Sequence, residues 1–136
     1  MMLTENDIVN ILSDHLEAEG YMIVQSLNTI EKGIDIIAKR NGRTLYIEAK
    51  GETSSKSHTN RFGKPFSKNQ IKSHVSKAIL TSMKILTSKS DGQNIEVAIA
   101  LPETEMHQDL IDDIHLALKK LGIIVFWVNQ DTVWRK

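Results

Sequence analysis

The chain has 136 residues, of which 40% are apolar and 25% are charged, a composition that suits one folded domain with a substantial core. The absence of cysteine excludes disulfide frameworks, thiolate zinc sites, iron–sulfur clusters and cysteine nucleophiles. No apolar run approaches the roughly 20 residues that cross a bilayer, and the first residues do not have the pattern of a secretion signal. We therefore expect a single domain over residues 1–136, located in the cytoplasm and without a membrane partner.

Positive charge is concentrated in one part of a chain whose formal net charge is zero. The segment from Lys50 to Lys89 contains nine basic residues and one acid, Glu52, whereas the rest of the chain contains 8 basic and 16 acidic residues. A one-sided basic segment fits a surface that binds a polyanion. It fits equally well a solvated, lysine-rich helix face.

The N-terminal part of the chain predicts a helix followed by a strand. Thr4, with Asp7 three residues later, forms an aspartate variant of the capping box, which marks a helix start. Apolar residues follow at helical spacing, and Gly20 is predicted to end the helix. Residues 21–27 then predict a short strand.

The next two predicted strands, residues 33–40 and 43–50, are joined by Asn41-Gly42. This dipeptide is the strongest local signal for a two-residue hairpin, because a type I′ turn needs positive φ at both positions. A polar loop over 51–66 follows.

The remainder of the chain alternates between predicted helices and strands. The segments are a helix over 67–87, a strand over 95–101, a helix over 105–121 and a strand over 123–128. The complete order is αβββαβαβ, which predicts an α/β fold with a mixed central sheet flanked by helices.

The predicted hairpin brings two carboxylates together. A two-residue turn pairs Arg40 with Arg43, and counting back along both strands places Asp35 directly opposite Glu48. Because side chains alternate between the faces of a strand, Lys50 shares the face of Glu48. Two carboxylates that face each other across a strand pair repel, so this arrangement requires a compensating charge.

A divalent cation is one compensating charge that suits this cluster. Mg²⁺ binds hard oxygen ligands, and the carbonyl of Ala49 could add one to the two carboxylates. Such a metal polarises phosphodiesters, and Lys50 could orient the attacking water or neutralise developing charge. An exposed cluster of Asp, Glu and Lys held by an ordinary salt bridge remains the other interpretation.

Residues 33–38 (GIDIIA) and 46–51 (YIEAKG), joined through an Asn-Gly turn, resemble the PD-(D/E)xK nuclease superfamily, which has the restriction-endonuclease-like fold. The resemblance is particularly to small Holliday-junction resolvases and their relatives. It covers residues 4–101 and leaves 102–136 as a C-terminal αβ extension. Ile34 stands where the family name has proline.

The resemblance implies roles for individual residues. Asp35 and Glu48 would bind Mg²⁺ or Mn²⁺, and Lys50 would be the catalytic lysine. Glu5, early in the first helix, would be a further metal ligand, and Gln70, at the start of the second helix, would approach the scissile phosphate. A purely structural interpretation remains open for both residues. Glu5 could be a first-turn glutamate favoured by the helix dipole, and Gln70 could be an exposed residue at a helix start.

The implied activity is that of a divalent-metal-dependent endonuclease that hydrolyses DNA, with branched and foreign DNA among the candidate substrates and RNA still open. The basic residues expected to contact phosphates are Lys56, His58, Arg61, Lys64, Lys68 and Lys72. The alternative is a catalytically inactive nucleic-acid- or partner-binding module of the same fold. A homodimer also remains open, because symmetrical cuts on two strands require two copies.

Overall fold

In a computed structural model, which describes residues 2–28, 33–53, 64–89 and 94–136, one six-stranded mixed sheet forms the centre of the fold. The elements are α1 (Glu5–Ala18), β1 (Met22–Ser26), β2 (Ile36–Arg40), β3 (Arg43–Ala49), α2 (Lys68–Lys89), β4 (Ile95–Pro102), α3 (Glu105–Leu121), β5 (Ile123–Val128) and β6 (Val133–Arg135). The strands follow chain order across the sheet. The β3–β4 and β4–β5 pairs are parallel, and the other pairs are antiparallel. The predicted fold class, a mixed sheet flanked by helices, is confirmed and is consistent with a restriction-endonuclease-like fold.

The start of α1 has the capping box that the sequence predicted. The Thr4 side chain accepts a hydrogen bond from the backbone N–H of Asp7 (3.1 Å), and the Asp7 carboxylate accepts one from the backbone N–H of Thr4 (2.9 Å). The apolar stripe of the helix, including Ile8, Leu12 and Leu16, is completely buried against one face of the sheet. This packing anchors α1 and so determines where its first turn lies.

The hairpin between β2 and β3 has the predicted turn and register. Asn41 and Gly42 have φ values of 53° and 75°, as a type I′ turn requires. Arg40 pairs with Arg43, and the pairing continues to Ile36 and Ile47. The strand β2 is shorter than predicted, because the positive φ of Gly33 (135°) interrupts the extended conformation expected over residues 33–35.

The helices α2 and α3 cover the opposite face of the sheet. Their buried residues, which include Ile71, Val75 and Ile111, pack on Ile99 and Trp127 of the central strands. Covering on both faces explains why β4 is apolar along most of its length instead of alternating. None of the helices in the described ranges is long and apolar enough to span a membrane.

The sixth strand was not predicted, so the observed order is αβββαβαββ. The strand β6 has three residues, too few to display an alternating pattern. It pairs antiparallel with β5, with Trp134 opposite Trp127. The indole N–H of Trp134 also donates to the Glu103 carboxylate (2.8 Å). The contact with Glu103, 31 residues away, helps to hold the strand where local sequence gives little signal.

Candidate functional site

The end of the β2–β3 hairpin brings Asp35 and Glu48 together, as predicted. The Asp35 carboxylate accepts a hydrogen bond from the backbone N–H of Ala49 (2.8 Å), and the backbone N–H of Asp35 lies close enough to Glu48 to lower its pKa. Lys50 follows directly, and its positive charge acts on both carboxylates. Parallel pairing places this end of β3 beside the C-terminal ends of β4 and β5.

The environment of Glu48 opposes its negative charge. Burial is the largest cause, followed by the charge of Asp35, and together with Glu5 they raise the pKa of Glu48 to about 7, although Lys50 acts in the opposite direction. Burial also raises the pKa of Asp35, against the lowering effects of its hydrogen bond from Ala49 and of Lys50. The cluster is therefore short of positive charge when its carboxylates are ionised.

Glu5 joins this cluster from the first turn of α1. Burial and then the charge of Asp35 raise the pKa of Glu5 to about 7, and Lys50 lowers it. The helix start reaches the site because the segment after β3 packs along it, with the backbone N–H of Glu52 donating to the carbonyl of Leu3 (2.8 Å). Glu5 is thus both a first-turn glutamate and a neighbour of the hairpin carboxylates.

The approach of the two segments depends on Gly51. A Cβ atom at this position would lie 2.5 Å from the backbone nitrogen of Glu5 and 2.6 Å from the carbonyl carbon of Thr4. An isolated parallel bridge between Thr4 and Thr53 continues the contact. Only glycine permits so close an approach, so Gly51 helps determine the position of Glu5.

The negative charges of the cluster are not neutralised by a close ion pair among the described residues. Among the residues that the structure describes, no ion pair within 4.0 Å includes Glu5, Asp35, Glu48 or Lys50. In the same ranges, no group of three or more histidine, aspartate or glutamate side chains is gathered closely enough to hold a metal ion. The carboxylates therefore influence one another electrostatically without forming a three-residue ligand set. Such hard oxygen donors suit a cation that retains several waters, as Mg²⁺ does.

Gln70 has a structural role in the first turn of α2. Its side-chain oxygen accepts a hydrogen bond from the backbone N–H of Ser67 (2.8 Å), and the Ser67 hydroxyl accepts one from the backbone N–H of Gln70 (3.3 Å). This is a capping box of the S-x-x-Q type. The sequence analysis predicted the helix over 67–87 without this cap. The side-chain oxygen of Gln70 is therefore already engaged.

The predicted phosphate contacts divide into two groups. Lys64, Lys68 and Lys72 are exposed, the first just before α2 and the others in its first two turns. The remaining three, Lys56, His58 and Arg61, lie outside the described residues.

Two further histidines lie near this edge. His74, one turn after Gln70, meets the ring of Phe66 edge-on at a centroid distance of 4.5 Å. Its pKa is lowered by burial and by the charges of Lys50 and Lys77. His107 is only 1% exposed, its Nδ1 is hydrogen bonded to the Thr104 hydroxyl, and its pKa is lowered to about 4 by burial and by His74.

Comparison with solved structures finds a similar fold in an XisH family protein from Nostoc punctiforme. The two structures have a TM-score of 0.56 and 15% sequence identity, and the match covers 93% of this chain and 95% of the other. At this identity the likeness establishes the fold alone. No protein-family model matches the chain, and no curated protein matches it in sequence.

Proposed function

We propose that this chain is a divalent-metal-dependent nuclease of the PD-(D/E)xK superfamily that hydrolyses phosphodiester bonds in DNA. The observation that carries the proposal is the convergence of Asp35, Glu48 and Lys50 at the end of the β2–β3 hairpin, with Glu5 beside them. The fold, with its mixed sheet and flanking helices, is compatible with this superfamily.

The residues that would hold Mg²⁺ or Mn²⁺ are Asp35, Glu48 and the carbonyl of Ala49. Glu5 of α1, which the structure does not gather closely with both carboxylates, would join them on binding. Repulsion and burial raise the pKa of both glutamates to about 7, so a cation would relieve an existing electrostatic cost. A bound divalent cation would polarise the scissile phosphodiester and lower the pKa of a coordinated water. The donors are all oxygens, as these metals prefer.

Lys50 would act on the reacting groups from the adjacent position of the same strand face. Its ammonium group could orient the attacking water, or neutralise negative charge that develops on the phosphate oxygens. Both roles place Lys50 beside the substrate, and both are lost in Lys50→Ala. The proposed product carries a 5′-phosphate, as in the superfamily that the hairpin resembles.

The basic residues around the start of α2 would hold the DNA backbone. Lys64, Lys68 and Lys72 are exposed at this edge, and Lys56, His58 and Arg61 precede them in the sequence, outside the described residues. Contacts between lysine or arginine and phosphate give affinity without sequence preference and weaken with salt. For Gln70, a role at the scissile phosphate would use its side-chain NH₂ group, since the oxygen caps α2.

A cleavage panel tests the proposal directly. Linear, nicked, forked and four-way DNA, and an RNA duplex, are incubated with Mg²⁺ or Mn²⁺ and the purified chain. Asp35→Ala, Glu48→Ala and Lys50→Ala should each reduce cleavage by about 100-fold or more. Asp14→Asn, an exposed change on α1, is the control for charge. If Asp35→Ala or Glu48→Ala cleaves as fast as the wild type, the assignment is wrong.

One observation favours the alternative of an inactive nucleic-acid- or partner-binding module. The described residues contain no group of three histidine, aspartate or glutamate side chains that could hold a metal ion. Isothermal titration calorimetry separates the two functions. Retained DNA binding without detectable Mg²⁺ or Mn²⁺ binding would favour the module, whereas metal binding that Asp35→Asn removes would favour the nuclease.

A further inference from the structure

A groove lies between the first turns of α2 and α3. It has a volume of about 340 Å³ and is lined by Lys68, Asn69 and Lys72 from α2 and by Met106, Asp109, Leu110 and Asp113 from α3. Buried Ile71 contributes to its floor. The groove is within the size range of small-ligand sites, which begins at about 300 Å³.

The two walls of the groove have opposite charge. Lys68 and Lys72 are one helical turn apart on α2, and Asp109 and Asp113 are one turn apart on α3. Like charges at this spacing repel, so each pair is unfavourable on its own helix. Among the described residues, no ion pair within 4.0 Å joins the two walls. The opposed charges are thus held apart with space between them.

The arrangement suits a ligand that is negative at one end, flat and apolar in the middle, and rich in hydrogen-bond donors at the other. An unpaired nucleotide has these properties. Its phosphate would lie on the lysines, its base would pack on Met106 and Leu110, and an exocyclic amino group would donate to Asp109 or Asp113. Carboxylates accept hydrogen bonds from the amino group of cytosine in this way.

The position of the groove connects it with the proposed nuclease site. Glu52, two residues after Lys50, lies beside the segment that leads into α2, because the backbone N–H of Phe66 donates to its carbonyl (2.9 Å). The start of α2 therefore lines the groove and also lies near the chain that follows Lys50. A DNA strand with a phosphate on Lys68 could place one nucleotide in the groove and the next part of its backbone towards the candidate site.

We infer that the α2–α3 groove binds an unpaired, amino-bearing base of a DNA strand adjacent to the cleavage position. That the bound base lies next to a cleavage position rests on the proposed nuclease function. Binding of the base in the groove does not itself require cleavage. The carboxylate wall predicts a preference for cytosine over uracil, because uracil presents a carbonyl oxygen where cytosine presents an amino group.

The test compares single-stranded oligodeoxycytidylate with oligodeoxyuridylate of equal length, at pH 8 and in EDTA. The two probes have the same charge and differ on the Watson–Crick edge, where cytosine presents an amino group and an unprotonated N3 and uracil presents a carbonyl oxygen and an N3–H. The wild type should bind the cytosine probe about tenfold tighter, the value of one hydrogen bond to a charged group. The double variant Asp109→Ala with Asp113→Ala, which removes both acceptors, should lose most of this preference, whereas Asp14→Asn should retain it.

A second pair of variants tests the lysine wall. Lys68→Gln should weaken the binding of both probes by a similar factor and reduce the salt dependence by roughly one phosphate contact. Lys84→Gln, an exposed change further along α2, should have a smaller effect. Equal binding of the two probes by the wild type, or a preference that survives in the double aspartate variant, overturns the inference. Because no metal is present, neither result depends on whether the chain cleaves DNA.

Discussion

The carboxylate of Asp35 and the backbone N–H of Ala49 are joined by a 2.8 Å hydrogen bond across the open end of the β2–β3 hairpin. This bond occupies Oδ2, and Oδ1 has no hydrogen-bond partner among the described residues. One carboxylate oxygen thus fixes the side chain to the neighbouring strand while the other remains for a ligand. Asp35 therefore has both a structural and a proposed chemical role, which two substitutions can separate.

Asp35→Asn should separate the charge of this residue from its hydrogen bond. Asparagine retains the shape of aspartate and an oxygen that can accept from Ala49, so stability in EDTA should change by about 1 kcal/mol or less. The stabilisation by Mg²⁺ should be lost, whereas the wild type should gain about 2.7 kcal/mol at a concentration 100 times Kd. Thermal melting with and without Mg²⁺ measures both. An equal Mg²⁺ response in the variant would contradict a ligand role for Asp35.

Glu48→Gln should stabilise the metal-free protein at pH 8. The ionised Glu48 is partly buried beside Asp35 and Glu5, and these neighbours raise its pKa to about 7. Removing the charge should therefore increase the free energy of unfolding by roughly 1 kcal/mol, after allowance for solvent screening. Urea denaturation in EDTA measures the change, and Asp14→Asn is the exposed control. Destabilisation by Glu48→Gln would show that a favourable contact outweighs the repulsion.

His107 should make the protein less stable as the pH falls below neutral. Its pKa is about 4 in the folded chain, against an ordinary value of 6.5, because it is buried against Thr104 and near His74. The unfolded chain therefore binds a proton that the folded chain excludes. This contribution to stability is complete above pH 6.5 and is lost as the pH falls through 4.

The variant His107→Gln isolates that contribution. Wild type should lose about 2 kcal/mol more than the variant between pH 7 and pH 5, because pH 5 lies about 1.5 pH units below the ordinary pKa of histidine and each unit contributes about 1.4 kcal/mol. Urea denaturation at the two pH values measures the difference. Parallel losses in the two proteins would show that His107 is not the responsible group.

Gly51→Ala should displace the start of α1 from the end of β3. The added methyl group would meet backbone atoms of Thr4 and Glu5 at 2.6 and 2.5 Å, and backbone cannot yield as a flexible side chain does. We expect a loss of about 2–3 kcal/mol in unfolding free energy. Gly122→Ala, where φ is 75° and nothing lies within 4 Å, should cost only the local backbone strain of about 1–2 kcal/mol. A smaller loss at Gly51 than at Gly122 would refute the close approach.

Gln70→Glu should distinguish capping from participation in the site. Glutamate can accept the hydrogen bond from Ser67 as glutamine does, so the thermal midpoint should change by no more than about 3 °C. If the side-chain NH₂ group assists at the phosphate, cleavage should fall at least tenfold in spite of the intact fold. Unchanged cleavage would leave Gln70 as a cap only.

Local residue types were sufficient to predict the hairpin and its register. Asn41 and Gly42 tolerate positive φ, and this turn geometry alone pairs Arg40 with Arg43 and brings Asp35 towards Glu48. The capping box at Thr4 was equally predictable, because both of its partners lie within four residues. In each case the residues that interact to determine the structure are close together in the sequence.

Contacts between distant segments decided the rest. The three residues of β6 form a strand because Trp134 pairs with Trp127 and its indole N–H binds Glu103, which is 31 residues away in the sequence. The approach of Glu5 to the carboxylates depends on the packing of Gly51 against the start of α1. The α2–α3 groove likewise exists only because both helices pack on the same face of the sheet. Side chains brought together by packing leave no periodic signal in the sequence, so only the tertiary structure reveals them.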